Sequence, residues 1–278
     1  MDRHLLLIDC PDQPGLILKV TGILFQRGFN IISNHEFVDR EKSRFFMRTE
    51  FTGVPDLAGL VQEVRSDLPE PATVRLTQTG HRRVVILVTR EPHCLGELLM
   101  LHAFDDLGAT IEAVVGNYPD LASLAARFDV PFHHVPHAGI SREEHEAALI
   151  RTLDRYDPEY IVLAKYMRVL SPEFVARYAH RIINIHHSFL PAFMGARPYH
   201  QAFERGVKII GATAHFVTER LDEGPIIAQS VIPVDHSHSP AAMAKAGRDV
   251  EKSVLARALK WVFEERVFLV ENRTIVFE

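Results

Sequence analysis

The chain has only two cysteines and one tryptophan in its 278 residues. Cys10 and Cys94 show no paired spacing, which argues against a disulfide framework and a zinc cluster and favours a reducing compartment. No apolar run approaches the roughly 18 residues that a membrane-spanning helix needs. The first residues lack the long apolar core and the small-residue cleavage site of a signal peptide. We therefore expect a cytoplasmic protein that has no contact with a membrane.

An excess of basic charge is also missing. The formal net charge is −5, and no basic patch stands out, so we expect no nucleic-acid partner. Because 47% of the residues are hydrophobic and 24% are charged, the chain can bury a proper core and is not of the disordered class. Its length is greater than that of one typical domain and predicts two.

The sixteen histidines raise the question of a metal site. The densest groups, at 133–137 and 236–238, have no carboxylate or cysteine at ligand spacing, and no H-E-x-x-H motif occurs. We therefore expect neither a functional metal nor a cofactor.

Residues 1–80 show alternating strand and helix patterns in the order βαββαβ. Asp12-Gln13-Pro14-Gly15 breaks the first strand and opens a helix, and Gly28 ends that helix. This order is typical of a ferredoxin-like α+β domain. The predicted elements are strands over 5–8, 31–38, 45–51 and 73–79, and helices over 16–28 and 57–68.

Residues 83–278 alternate strands with helices, which predicts a doubly wound and mainly parallel sheet in a second domain. A linker is expected near Gly80. The predicted strands cover 84–88, 110–115, 131–135, 160–164, 182–186 and 209–218. The predicted helices cover 94–107, 122–128, 143–156, 172–178 and 241–264, and a strand pair is expected about 271–273.

Two polar side chains project from the same side of the short apolar strand at 182–186. The period of two in a strand sends Asn184 and His186 to the same side. An amide can stabilise a developing oxyanion, and an imidazole can transfer a proton, so the pair suits acyl chemistry. Alternatively, both side chains only satisfy loop backbone groups at a strand end.

Further motifs give this pair a context. Leu190-Pro191 follows Asn184-x-His186, and the later stretch reads His215-Phe-Val-Thr-x-x-Leu-Asp222-x-Gly-Pro. Together these motifs resemble the formyltransferase-fold family that uses 10-formyltetrahydrofolate, and the whole chain is most similar to its hydrolase branch, the formyltetrahydrofolate deformylases. The resemblance implies that Asn184, His186 and Asp222 are catalytic and that His215 is a partner of Asp222.

The run Leu163-Ala-Lys-Tyr-Met-Arg-Val-Leu-Ser171 looks like the segment of that family that forms the pteridine pocket. The resemblance implies a folate substrate bound by this segment and by nearby apolar residues. Ordinary core packing is the alternative for several of them. The residues assigned to substrate binding are Leu163, Met167, Arg168, Val169, Leu170, Phe174, Val175 and Ile182.

The N-terminal domain resembles an ACT domain, because a strand is followed by Asp12-x-Pro14-Gly15 and by a helix that ends at Gly28-x-Asn-Ile. Such domains often bind amino acids at subunit interfaces. The resemblance implies an effector, methionine or glycine, at Asp12, Pro14 and Gly15, and a homo-oligomer, expected to be a tetramer. In the alternative interpretation, Pro14 and Gly15 only form the turn, because fold analogy does not establish a ligand.

One absence separates the branches of the formyltransferase-fold family. Transferases with a ribonucleotide acceptor place a Gly-rich, phosphate-binding turn after the first strand of this domain, whereas residues 89–95 here read TREPHCL. Residues 195–200 and His187 also resemble the hydrolase branch. We therefore expect hydrolysis of 10-formyltetrahydrofolate to formate and tetrahydrofolate, which would supply one-carbon and purine metabolism. The alternatives are formyl transfer to a small amine and a catalytically inactive amino-acid sensor.

Overall fold

The computed structural model describes residues 3–53, 57–78, 80–192 and 198–278. It divides into two compact units, one formed mainly by residues 1–80 and the other by residues 81–276. Among the described residues, no helix combines the length and the apolar character of a membrane span.

The first unit has the predicted βαββαβ order. Its sheet is antiparallel, with the strand order β2-β3-β1-β4. Alternate residues of β1, Leu6 and Ile8, share one core with Val20 of α1 and Leu60 of α2, so both helices cover the same face. The elements are β1 (Arg3–Pro11), α1 (Leu16–Gln26), β2 (Asn30–Asp39), β3 (Arg44–Thr52), α2 (Leu57–Asp67) and β4 (Thr73–Gln78).

The second unit contains a seven-stranded sheet with the strand order β11-β10-β9-β8-β5-β6-β7. Its elements up to β9 are β5 (Arg82–Val88), α3 (His93–Ala103), β6 (Ala109–Gly116), α4 (Ala122–Ala126), β7 (Phe132–His134), α5 (Arg142–Leu153), β8 (Tyr160–Leu163), α6 (Pro172–Arg177) and β9 (Ile182–His186). The remaining elements are α7 (Pro198–Glu204), β10 (Ile209–Phe216), β11 (Ile226–Pro233), α8 (Pro240–Phe263), β12 (Val267–Val270) and β13 (Arg273–Val276).

Strands β9, β8, β5, β6 and β7 run parallel, and β10 and β11 join the sheet antiparallel. Alternate residues of β5 point to opposite faces. Ile86 lies in a core with α3 and α8, whereas Leu87 lies in a core with α5 and α6. The predicted doubly wound, mainly parallel sheet is therefore confirmed. The strand order reverses between β5 and β8, which is the place where such sheets bind ligands.

Some boundaries differ from the predicted ones. Helix α3 ends at Ala103, although the apolar pattern continues to Leu107. Asp105 takes a left-handed φ of 62°, and the Asp106 N–H donates to the Leu101 carbonyl at 2.8 Å, which closes the helix end. Leu107 is still buried although it follows the helix end. The apolar pattern therefore extends beyond the helix because the chain returns to the core after the turn. Strand β11 and helix α7 have no counterpart among the predicted elements.

Candidate active site

Asn184 and His215 face each other across the antiparallel pair of β9 and β10. The His215 Nδ1 lies 2.9 Å from the Phe216 carbonyl oxygen. A carbonyl only accepts hydrogen bonds, so Nδ1 carries the proton. Burial lowers the pKa of His215, which keeps the ring neutral and makes its Nε2 an acceptor.

The Asn184 amide nitrogen therefore donates to His215 Nε2, at a distance of 3.2 Å. This bond fixes which end of the Asn184 side chain is the donor. The amide nitrogen carries two hydrogens. His215 accepts one N–H, and the other has no acceptor in the described part of the chain and remains for a ligand. A strand-borne amide held in this way is a preorganised donor of the kind that stabilises an oxyanion.

His186 and Asp222 form a second pair. The His186 Nδ1 lies 3.3 Å from Asp222 Oδ1, and both side chains are buried. His186 Nε2 is buried and has no hydrogen-bond partner among the described residues. The carboxylate favours the tautomer with the proton on Nδ1, so the Nε2 lone pair is available as a base.

Asp222 is held by the turn that follows β10. Its backbone takes a left-handed φ of 58°. The Phe216 N–H donates to the Pro225 carbonyl at 2.9 Å, and a Cβ at Gly224 would overlap the Phe216 carbonyl oxygen. Glycine at this position therefore lets the turn close and returns Asp222 to the end of the strand. Asp222 Oδ1 is 3.9 Å from His215 Nε2, so His215 contacts Asn184 more closely than the predicted partner Asp222.

A cavity of about 260 Å³ opens beside these groups. Asn184, His186 and Asp222 all line it, and so does His215. The lining also includes five of the residues that the sequence assigns to substrate binding, namely Leu163, Met167, Arg168, Val169 and Leu170.

The other three assigned residues lie elsewhere. Phe174, Val175 and Ile182 are buried in the core between the sheet and helices α5 and α6, and none of them lines this cavity. All three follow the segment 163–171 in the sequence, and apolar residue type alone cannot distinguish a pocket wall from the core behind it.

The cavity-lining segment is tied to the elements on both sides. The Met167 N–H donates to Thr89 Oγ1 at 2.9 Å, just after β5. On α5, the buried Glu146 carboxylate accepts from the Ser171 N–H at 2.7 Å and from the Ser171 hydroxyl. The segment is therefore fixed in its middle and at its C-terminal end. Residues 195–197 of the stretch that the sequence associates with the hydrolase branch lie outside the described residues.

A buried ion pair adjoins the cavity. The Lys165 ammonium is 3.1 Å from Glu251 Oε2, and the side chains are 3% and 1% exposed. His93 Nε2 lies 2.8 Å from the same oxygen, and the Tyr199 hydroxyl donates to Oε1 at 2.7 Å. Burial alone would raise the pKa of Glu251, but His93, Lys165 and Tyr199 outweigh it and lower the pKa to about 2.

Sequence reasoning gave no role to Glu251. Glu251 sits among Val250, Val254 and Leu255 on the buried face of α8. A carboxylate on an apolar helix face was the available signal, because such a group is rarely fully buried unless it is paired.

His93, Cys94 and Glu251 also bring three metal-ligating atoms within 4.8 Å of one another. The donor set does not suit a cation. The Lys165 ammonium already pairs with the Glu251 carboxylate. Burial raises the pKa of Cys94, so its sulfur stays a neutral thiol.

Acidification is expected to destabilise the fold through His187 and His215. Burial, and then the Lys165 ammonium, lower the pKa of His187 from 6.5 to about 4, and burial lowers that of His215. The unfolded chain therefore binds more protons than the folded chain as the pH falls below 6.5. The stability that depends on these two neutral rings is complete above pH 6.5 and is lost as the pH falls towards 4. Urea midpoints measured from pH 7.5 to 4.5 test this.

His187→Gln should flatten that pH dependence, whereas the same change at the exposed His236 should leave it as it is. An equal slope in both variants would contradict the assignment to His187.

Comparison with known proteins agrees with the two units. The family model for formyl transferases matches residues 82–259, and the ACT domain model matches residues 4–68. The chain is 56% identical over 276 residues to a formyltetrahydrofolate deformylase of Escherichia coli (strain K12), and the match covers 99% of each chain.

Solved structures give the same result. A formyltetrahydrofolate deformylase from Pseudomonas syringae pv. tomato is 41% identical and superimposes with a TM-score of 0.95, covering 100% of this chain and 95% of the other. A glycinamide ribonucleotide transformylase from Symbiobacterium toebii is 29% identical, with a TM-score of 0.69, and covers only 73% of this chain and 98% of its own. The chain belongs to the formyltetrahydrofolate deformylase family, with an ACT domain followed by a formyl transferase domain.

Proposed function

We propose that this protein hydrolyses 10-formyltetrahydrofolate to formate and tetrahydrofolate. The observation that carries the proposal is the convergence of the Asn184 amide and the buried His186–Asp222 pair on one cavity. The relatives that match over the full length are named formyltetrahydrofolate deformylases, and the site has the groups that hydrolysis of a formyl amide requires.

Water attacks the formyl carbon, and the carbonyl oxygen becomes an oxyanion. The free N–H of Asn184 donates to that oxygen, while the N–H that His215 accepts keeps the amide in place. A single donor of this kind typically contributes a factor of about 10²–10³ to the rate.

His186 moves the proton. Its Nε2 takes a proton from the attacking water, and Asp222 beside Nδ1 stabilises the imidazolium that forms. The proton then passes to the folate nitrogen as the C–N bond breaks, so formate leaves and tetrahydrofolate is neutral at that nitrogen. Asp222 also lies in the cavity wall, where it can orient the water.

The folate ring system would occupy the cavity beside this set. Met167 and Val169 expose more than half of their surface at its rim, and such apolar groups suit a flat heterocycle. Phe174, Val175 and Ile182 support the wall from the core. We place the catalytic domain at residues 83–278 and the regulatory domain at residues 1–80.

Water is the proposed acceptor because the surroundings of the turn after β5 disfavour a phosphate. Residues 89–95 contain no glycine. A ribonucleotide phosphate would therefore find no glycine-rich backbone cradle there.

The test is formate release by the purified protein from isotope-labelled 10-formyltetrahydrofolate with no added amine. Formate should appear one for one with tetrahydrofolate, and glycinamide ribonucleotide should neither accelerate the reaction nor acquire label. Label recovered on the amine would contradict hydrolysis and support the transferase alternative.

We further propose that the N-terminal domain binds a small amino acid, methionine or glycine, and that the protein acts as a homo-oligomer. The match to the ACT domain supports this. Gly15 takes a φ of 89° next to Asp12 and Pro14, which forms the turn at the expected position. Calorimetric titration of the full chain with each common amino acid tests the proposal, and the absence of both heat and any kinetic change would contradict it.

A further inference from the structure

A continuous series of side chains joins the cavity to the start of α3. Lys165 lines the cavity, its ammonium contacts Glu251 Oε2, and the same oxygen contacts His93 Nε2. His93 is the first residue of α3 and belongs to the turn after β5. Lys165 and His93 both contact Glu251, so the three side chains connect that turn to the cavity wall.

Two of these three side chains come from the same face of the sheet. Glu251 belongs to α8 and His93 to α3, and both helices pack on the same face of the sheet. The cavity-lining segment is anchored to α5 on the opposite face, where Glu146 holds Ser171. If the formyl donor binds against that segment, the attacking group must approach from the side of α3 and α8.

Lys165 occupies this position at a conformational cost. Its backbone takes a left-handed φ of 62°, which a non-glycine residue seldom adopts. Its ammonium is also buried, and Glu251 pairs with it. Glycine would satisfy this backbone without strain. The side chain must therefore contribute something that a glycine would not.

We propose that Lys165, held by Glu251, closes the acceptor side of the site and restricts the attacking group to water. The proposal rests on the hydrolytic function stated above and assigns Lys165 as a specificity-determining residue. Tyr199 helps to hold Glu251 in place, because its hydroxyl donates to the other oxygen of Glu251.

Removing the barrier would admit a small primary amine. The amine nitrogen would form a new C–N bond to the formyl carbon, the bond from that carbon to the folate nitrogen would break, and one amine proton would pass to the folate nitrogen. The products are an N-formyl amine and tetrahydrofolate, and no oxidant or further reactant is needed.

The experiment compares two double variants in the full chain. Lys165→Gly with Glu251→Gln opens the space and suits the left-handed backbone. Lys165→Met with Glu251→Gln keeps the space filled and removes the same charges. Each protein receives labelled 10-formyltetrahydrofolate and glycinamide, and the ratio of N-formylglycinamide to formate is measured. Lys260→Met on the exposed surface of α8 is the control.

The glycine variant should raise that ratio at least about tenfold over the wild type, whereas the methionine and control variants should leave it unchanged. An unchanged ratio in the glycine variant, or loss of both products from a folded variant, would overturn the proposal. If the glycine variant does not fold, Lys165→Ala with Glu251→Gln is held to the same criterion. Failure of the wild type to release formate without amine would instead contradict the proposed hydrolysis.

Discussion

Replacing His186 with alanine is expected to reduce turnover by a factor of about 10²–10³ or more, with the fold intact. His186 lines the cavity, and its buried Nε2 has no hydrogen-bond partner among the described residues. Asp222→Asn should have a similar effect, because it removes the charge beside Nδ1. Asn184→Ala should do the same by removing the oxyanion donor. The measurement is formate release under saturating substrate, together with kcat/KM.

All three variants should remain folded. Circular dichroism and thermal unfolding, which report the state of the core, check this. His236→Ala changes an exposed histidine that does not line the cavity. It is the matched control and should be fully active. Near-normal turnover in all three variants would show that the site assignment is wrong.

The second large effect concerns stability. Glu251→Gln is expected to lower the free energy of unfolding by about 3–5 kcal/mol, because it leaves the Lys165 ammonium buried without a counter-charge. Adding Lys165→Met should recover most of the loss, because the double variant has no unpaired charge. Urea denaturation of the wild type, both single variants and the double variant gives the coupling between the two residues.

The coupling also has a pH signature. The pKa of Glu251 is lowered from 4.5 to about 2, so its contribution is complete above pH 4.5 and is lost as the pH falls towards 2. The double variant should lose this part of the acid sensitivity. Additive effects of the single changes would contradict the ion-pair interpretation, and Lys260→Met serves as the neutral surface control.

Residue patterns were sufficient for most of the fold, although β11 and α7 were missed. The continuous apolar run of β5 and the helical spacing in α8 follow from burial, and burial leaves a direct pattern in the sequence. Helix ends were harder to predict from the sequence. In α3, Asp105 turns the chain and Leu107 returns it to the core. A local pattern records burial and does not record the turn that produces it.

The site divides in the same way. Asn184 and His186 could be placed together because one strand carries both. The contact between Asn184 and His215 depends on the register of β9 with β10, which the spacing does not give. Lys165 and Glu251 are far apart in the sequence, and only the packing of α8 on the sheet brings them into contact.

The left-handed backbone of Asp222 limits which substitutions the protein can tolerate there. Asparagine and glycine adopt this conformation readily, whereas branched and bulky residues do not. Both are reached from an aspartate codon by one nucleotide change, and both lack the carboxylate. Random mutation at this codon should therefore often yield a well-folded chain without the charge. Such chains would escape the degradation that removes unfolded protein.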